Sequence, residues 1–251
     1  MYSKGEMMKG KFRIYVIGFN RRKILLSLVI LAVFIGTLVN YSHSRGFSIF
    51  NVLEQDTIVV DPGHGGIDGG AGKKGDVLEK DINLAIALKL KKELLVEGFR
   101  VILTRERDVS LEGLSNIKAS RYRRDLDARK NIINGNEPVA FVSIHCNSST
   151  SKSAKGIKIY HYPDSIGGEK LAKAIAQAVD EIIYEGYLGE EKLRTEVLAE
   201  DFYILRESDY TGVLIEVGFL TNPEEKKMLT DEEYQQIIAR AIKKGILRYL
   251  K

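Results

Sequence analysis

Residues 57–104 read TIVV DPGHGGIDGGAGKKGDVL EKDINLAIALKLKKELLVEG FRVILT. The β-branched run 57–60 predicts a strand, and it enters a loop rich in glycine. Over 79–97 the apolar residues Ile82, Ala85, Ile86, Leu90 and Leu94 fall on one side of a helix, with Gly98 just past its end. Residues 99–104 return to strand pattern. A strand, a crossover helix and a second strand make a unit that joins parallel neighbours, because parallel strands need a connection of a dozen residues or more.

Outward from this unit the alternation continues to the C-terminus. A polar, arginine-rich run, 105–124, is long for a connection, and connections of that length commonly carry function or a short helix. It leads into a predicted helix over 125–134, strands over 139–145 and 156–160, a long helix over 166–184, strands over 202–205 and 213–217, and an amphipathic helix over 231–250. The fold class is therefore α/β: a central, largely parallel (mixed) sheet covered by helices on both faces, in a single domain over 57–251.

The chain has 251 residues, 44% of them apolar and 29% charged, enough to bury a sizeable core. Its formal charge of +4 is unevenly placed. Seven basic residues and one acidic residue stand in 1–23, and the rest of the chain is close to neutral. The basic excess thus gives no reason to expect a nucleic-acid partner for the folded part. The basic flank runs into sixteen uncharged residues, 24–39, between Arg21-Arg22-Lys23 and polar Asn40-Tyr41-Ser42. Basic flanks stay cytoplasmic, so the reading is a cytoplasmic flank (1–23), a signal or anchor segment in the membrane (24–39), a linker (40–56), and a domain exported to the outer side of the cytoplasmic membrane. No small-x-small cleavage site closes the segment, which favours an anchor over release.

Cys146 is the only cysteine. It has no partner in the chain for a disulfide, and strand alternation turns it away from whatever His145 faces, so it reads as a small buried apolar filler. Gly70-Ala71-Gly72-Lys73-Lys74-Gly75 matches GxGxxG by letter, but it lies some ten residues past its strand, where a dinucleotide fingerprint does not belong. GxxxxGK[ST] is absent.

The chemistry gathers where open α/β folds build sites, beyond the carboxyl ends of the strands. After the first strand comes Asp61-Pro62-Gly63-His64-Gly65-Gly66; Glu79 starts the next helix; Ser143-Ile144-His145-Cys146-Asn147 ends another strand; Glu216 lies inside the apolar run VLIEVGF. His64 or His145 alone reads as an ordinary polar residue, and Glu79 alone as a complement to a helix dipole. Glu216 is harder to place blandly, since a carboxylate in an apolar run is costly to bury unless paired or functional. Together, two histidines and two glutamates supply three zinc ligands and a general base.

These motifs, with Lys80, Thr104-Arg105, Arg129 and the continuation Val217-Gly218-Phe219-Leu220-Thr221-Asn222, resemble the zinc-dependent N-acetylmuramoyl-L-alanine amidases of bacterial cell walls (amidase type 3). The resemblance spans about residues 57–250. The run from Ser120 to Arg129 and the short anchored N-terminus look more narrowly like the germination-specific, sporulation members.

The resemblance implies zinc held by His64, Glu79 and His145, with Glu216 as the catalytic carboxylate. It implies peptidoglycan as substrate, cut between the muramic acid lactyl group and L-alanine, in spore cortex modification for germination. Asn147 is a candidate for positioning substrate; Arg105 and Arg129 read as structural ion-pair partners. The chain has cysteine at 146 where the family more often has alanine. Some members are held inactive by an inserted helix; no such segment is legible between Tyr184 and Phe202, so either the site is open or a regulatory protein partner controls it. The alternatives are a zinc peptidase acting on the peptide stem and a catalytically silent wall-binding protein of the same fold.

Overall fold

The computed structural model describes residues 21–44, 55–72 and 75–251. Residues 1–20 of the basic flank and residues 45–54 of the expected linker lie outside the described residues. The chain divides into two units, residues 1–54 and 55–251. In the first, α1 (Arg21–Ser44) runs through the apolar segment and five residues of the expected linker, with Leu28, Ile30, Val33 and Phe34 exposed. Among the described residues no helix is long and apolar enough to cross a membrane.

The second unit is a mixed α/β domain. In chain order its elements are β1 (Thr57–Pro62), α2 (Glu79–Val96), β2 (Arg100–Leu103), α3 (Arg121–Gly135), β3 (Ala140–Asn147), β4 (Lys158–His161), α4 (Ile166–Val179), β5 (Glu196–Ala199), α5 (Tyr203–Arg206), β6 (Gly212–Phe219), α6 (Pro223–Leu229) and α7 (Glu232–Tyr249). The six strands lie in the order β2-β1-β3-β6-β4-β5. The first four are mutually parallel; β4 runs antiparallel to β6, and β5 parallel to β4. A largely parallel, mixed sheet is what the sequence pattern implies.

Strand alternation divides the molecule into two cores. Ile58 and Val60, Val142 and Ile144, and Val213 and Ile215 face α2, α4 and α7 in the larger one. Val59, Phe141 and Leu214 face α3 and α5 in the smaller one with Ile133, Ile204 and Leu205. Cys146 joins the larger core, 3% exposed, as the apolar filler expected.

Three elements differ from the sequence reading. Within 202–205, expected as a strand, Phe202 caps the short helix α5 and Tyr203, Ile204 and Leu205 lie in it; a four-residue apolar run carries no periodicity to separate the two states, and here it packs Ile204 and Leu205 against Leu214. β5 falls in the charged stretch where no strand was expected, and it is an edge strand with Val197 and Leu198 half-buried and Glu196 and Ala199 exposed. α6 is capped by Asn222, whose side chain accepts from the backbone N–H groups of Glu224 and Glu225, with Pro223 in its first turn. The long helix after β4 is α4 continued by a π-helical stretch, Asp180–Leu188, ending at Gly189 with φ 66°. No additional α-helix stands between that stretch and α5.

Candidate metal centre

The face of the sheet that carries the smaller core also carries the chemistry. Asp61 follows Val59 by two, Ser143 and His145 follow Phe141 by two and four, and Glu216 follows Leu214 by two, so all four project to the α3 and α5 side. Register makes neighbours of them: Asp61 lies opposite Ser143, and His145 opposite Glu216.

Beyond β1 the chain turns through His64, whose φ of 60° is left-handed, then Gly65 and Gly66, also at positive φ. Two buried guanidiniums hold that turn by its carbonyls. Arg105 donates from Nε to Pro62 O at 3.0 Å and from Nη2 to Gly63 O at 2.8 Å. Arg129 donates to Pro62 O at 2.8 Å, His64 O at 2.5 Å and the Asp61 carboxylate at 2.7 Å. Burial would raise the Asp61 pKa, but Arg129, Thr104 and Ser143 hold it below the usual carboxylate range. Burial and the neighbouring Arg129 lower Arg105 to about 10. The sequence reading of both arginines as structural groups fits these contacts; that they grip the loop carrying His64 was not legible.

Glu79, first residue of α2 and 4% exposed, receives both histidines on one oxygen. Its Oε1 lies 3.1 Å from His64 Nε2 and 3.0 Å from His145 Nδ1, and also accepts the Cys146 N–H at 3.0 Å. Oε2 accepts the Ala71 N–H at 2.7 Å. Burial opposes ionisation of Glu79, yet the two imidazoles hold its pKa far below the ordinary value. Burial likewise opposes the charge on His64, but Glu79 and Asp68 outweigh it and raise the group to about 9. Asp68 Oδ2 sits 2.8 Å from His64 Nδ1, the kind of carboxylate contact that orients a ligating imidazole. The ligand atoms of His64, Glu79 and His145 all lie within 4.8 Å of one another. Two imidazoles and a carboxylate converging so closely, with the carboxylate already ionised, suit zinc.

Glu216 completes the group. One of its carboxylate oxygens, Oε2, is buried without a hydrogen-bond partner. Burial and the charge of Glu79 raise its pKa, partly offset by the two histidines, to about 7. A cavity of about 230 Å³ joins His64, His145 and Glu216 to Asp61, Tyr122 and Tyr203. Asn147 ends β3, its Oδ1 accepts from Ser148 N at 2.7 Å, and it does not line that cavity. The other described imidazole near the sheet, His161, is bonded to Tyr162 O and stands apart from this cluster. Asp68 was missed from the sequence; its spacing of four residues from His64 across a glycine turn was the available signal.

The profile of the N-acetylmuramoyl-L-alanine amidase family matches residues 58–248. The germination-specific N-acetylmuramoyl-L-alanine amidase of Bacillus subtilis is 37% identical over 199 residues, 78% of this chain and 81% of that protein. The CwlD amidase of Clostridioides difficile, solved in complex with the GerS lipoprotein, matches with a TM-score of 0.70 and 40% identity over 78% of this chain and 98% of that one. An N-acetylmuramoyl-L-alanine amidase from Clostridium difficile 630 matches with a TM-score of 0.65 and 32% identity, over 78% of this chain and 97% of its own. With the ligand cluster and its neighbouring carboxylate on the matched domain, the chain belongs to the N-acetylmuramoyl-L-alanine amidase family.

Proposed function

We propose that this protein is a zinc-dependent amidase that hydrolyses the bond between the lactyl group of muramic acid and L-alanine, and that it acts on spore cortex peptidoglycan for germination. The observation that carries the reading is the convergence of His64, Glu79 and His145 beside the unpartnered Oε2 of Glu216.

The three ligands would hold zinc, with Asp68 fixing the His64 ring and the Cys146 and Ala71 N–H groups fixing Glu79. Zinc bound there supplies Lewis acidity toward a water and the scissile carbonyl. Glu216 moves the proton. It takes a proton from the attacking water and returns it to the departing L-alanine nitrogen. Leu126, Phe202 and Leu214 line the same cavity as this carboxylate, apolar walls that limit its hydration.

The location we propose is the outer side of the cytoplasmic membrane, including the space between forespore and mother cell, with residues 24–39 as membrane anchor. The exposed apolar side chains of α1 and the basic flank before it support this. A protein partner is proposed as the regulator, since among the described residues no α-helix stands between the π-helical stretch and α5 and the C. difficile relative was solved with a lipoprotein.

Mass spectrometry of digested muropeptides tests the reaction. Free stem peptides beginning with L-alanine are expected. Shortened stems still attached to muramic acid would instead indicate a peptidase.

A further inference from the structure

Three buried side-chain polar atoms lack a hydrogen-bond partner among the described residues: Glu216 Oε2, Glu112 Oε2 and Arg248 Nη1. The first belongs to the centre described above. The second lies in the long arginine-rich connection that the mechanism does not use. Glu112 opens a 3-10 turn, Glu112–Leu114, on the wall of a second cavity of about 540 Å³. That cavity shares His64, Asp68, Tyr122 and Asp125 with the catalytic one, so whatever fills it approaches the scissile bond. Among its lining residues Tyr122 is 64% exposed and Ile67 68% exposed.

On the amidase reading, we propose that this second cavity is the saccharide subsite, where Glu112 accepts a hydrogen bond from a sugar hydroxyl or acetamido N–H and the Tyr122 ring packs on the sugar's C–H face. A buried carboxylate oxygen without a donor costs free energy that a ligand donor recovers. The terminal torsion of glutamate is soft, so either oxygen can turn to meet that donor. Sugars are rich in donors and carry apolar C–H faces, which an exposed tyrosine can cover at low entropic cost.

Charge separates the sugar from the peptide stem. Asp68 is paired with His64 and Asp125 with Arg129, which leaves Glu112 and Arg121 as lining charges of opposite sign, a near-neutral setting suited to a neutral glycan. In a third cavity, of about 530 Å³, Lys226 is paired with Asp76 and Lys152 is the remaining lining charge. It suits the anionic side of the substrate.

The test compares kcat/KM of the zinc-loaded full chain on two substrates sharing one stem: a glycan-linked muropeptide, and a D-lactoyl peptide that keeps the scissile amide without sugar. Wild type is expected to prefer the glycan substrate. Glu112→Ala and Tyr122→Ala are each expected to reduce that preference by about tenfold, the scale of one lost hydrogen bond or stacking contact. Lys152→Ala should leave it in place. The subsite is overturned if wild type shows no preference, if both variants retain it, or if they alter discrimination between long and short stems instead. A wild type that cleaves neither substrate overturns the amidase reading, and the subsite with it.

Discussion

His145 on β3 and Glu216 on β6 are register partners in adjacent parallel strands, so the carboxylate is fixed beside the imidazole by backbone pairing. That placement has a cost in stability. Burial keeps Glu216 protonated to about pH 7 in the folded chain, whereas its ordinary value is 4.5. Between those two values the folded state holds a proton that the unfolded state has released, so this group's contribution to stability falls as pH rises through the window. In zinc-free protein, Glu216→Gln is expected to be more stable than wild type at pH 7.5, by at most about 3 kcal/mol, and equal to it near pH 4. Urea unfolding at the two pH values checks this.

Arg129 joins Asp61 and Asp125 to the carbonyls of Pro62 and His64. Lysine keeps the charge but cannot reproduce that fork of donors. Arg129→Lys is expected to lower stability by about 2–4 kcal/mol and to weaken zinc binding, because the His64 carbonyl loses its anchor. Chemical denaturation and chelator competition measure the two effects; unchanged zinc affinity would leave Arg129 a purely structural residue.

At Gly63 an added methyl carbon would lie 2.2 Å from Cε1 and 2.3 Å from Nε2 of His145. The direction of that carbon is fixed by the backbone, so the imidazole must leave its position. Gly63→Ala is expected to reduce zinc affinity by about 10–100-fold while circular dichroism remains that of wild type.

Cys146 is buried in the larger core, and burial pushes its thiol pKa well up. A thiol held protonated and shielded from solvent reacts slowly. The native protein should be inert to an aromatic disulfide reagent and release one equivalent of chromophore in denaturant. Cys146→Ala should retain activity, since the thiol contacts Asn83 and no ligand atom.

The strand and helix pattern from Thr57 onward was legible because long amphipathic helices and β-branched runs carry periodic signals. The convergence of His145 and Glu216 was legible for a related reason: alternation on β3 and β6 turns them to one face and Cys146 to the other. What was not legible depends on contacts distant in sequence. Arg129 reaches Asp61 across 68 positions, and Glu225, on an unanticipated helix, accepts from Gly156 N and Phe219 N to fasten the end of β6. Neither pairing leaves a local trace. The short run 202–205 failed differently, since four apolar residues satisfy a strand and a helix equally well.

The most direct test measures release of new L-alanine amino termini from purified peptidoglycan by wild type and Glu216→Gln, each carrying one equivalent of zinc. Wild type is expected to release them, and the variant to lose at least about 100-fold in rate with its zinc retained. Comparable rates from the two zinc-loaded proteins would contradict the assignment of Glu216 as the group that moves the proton.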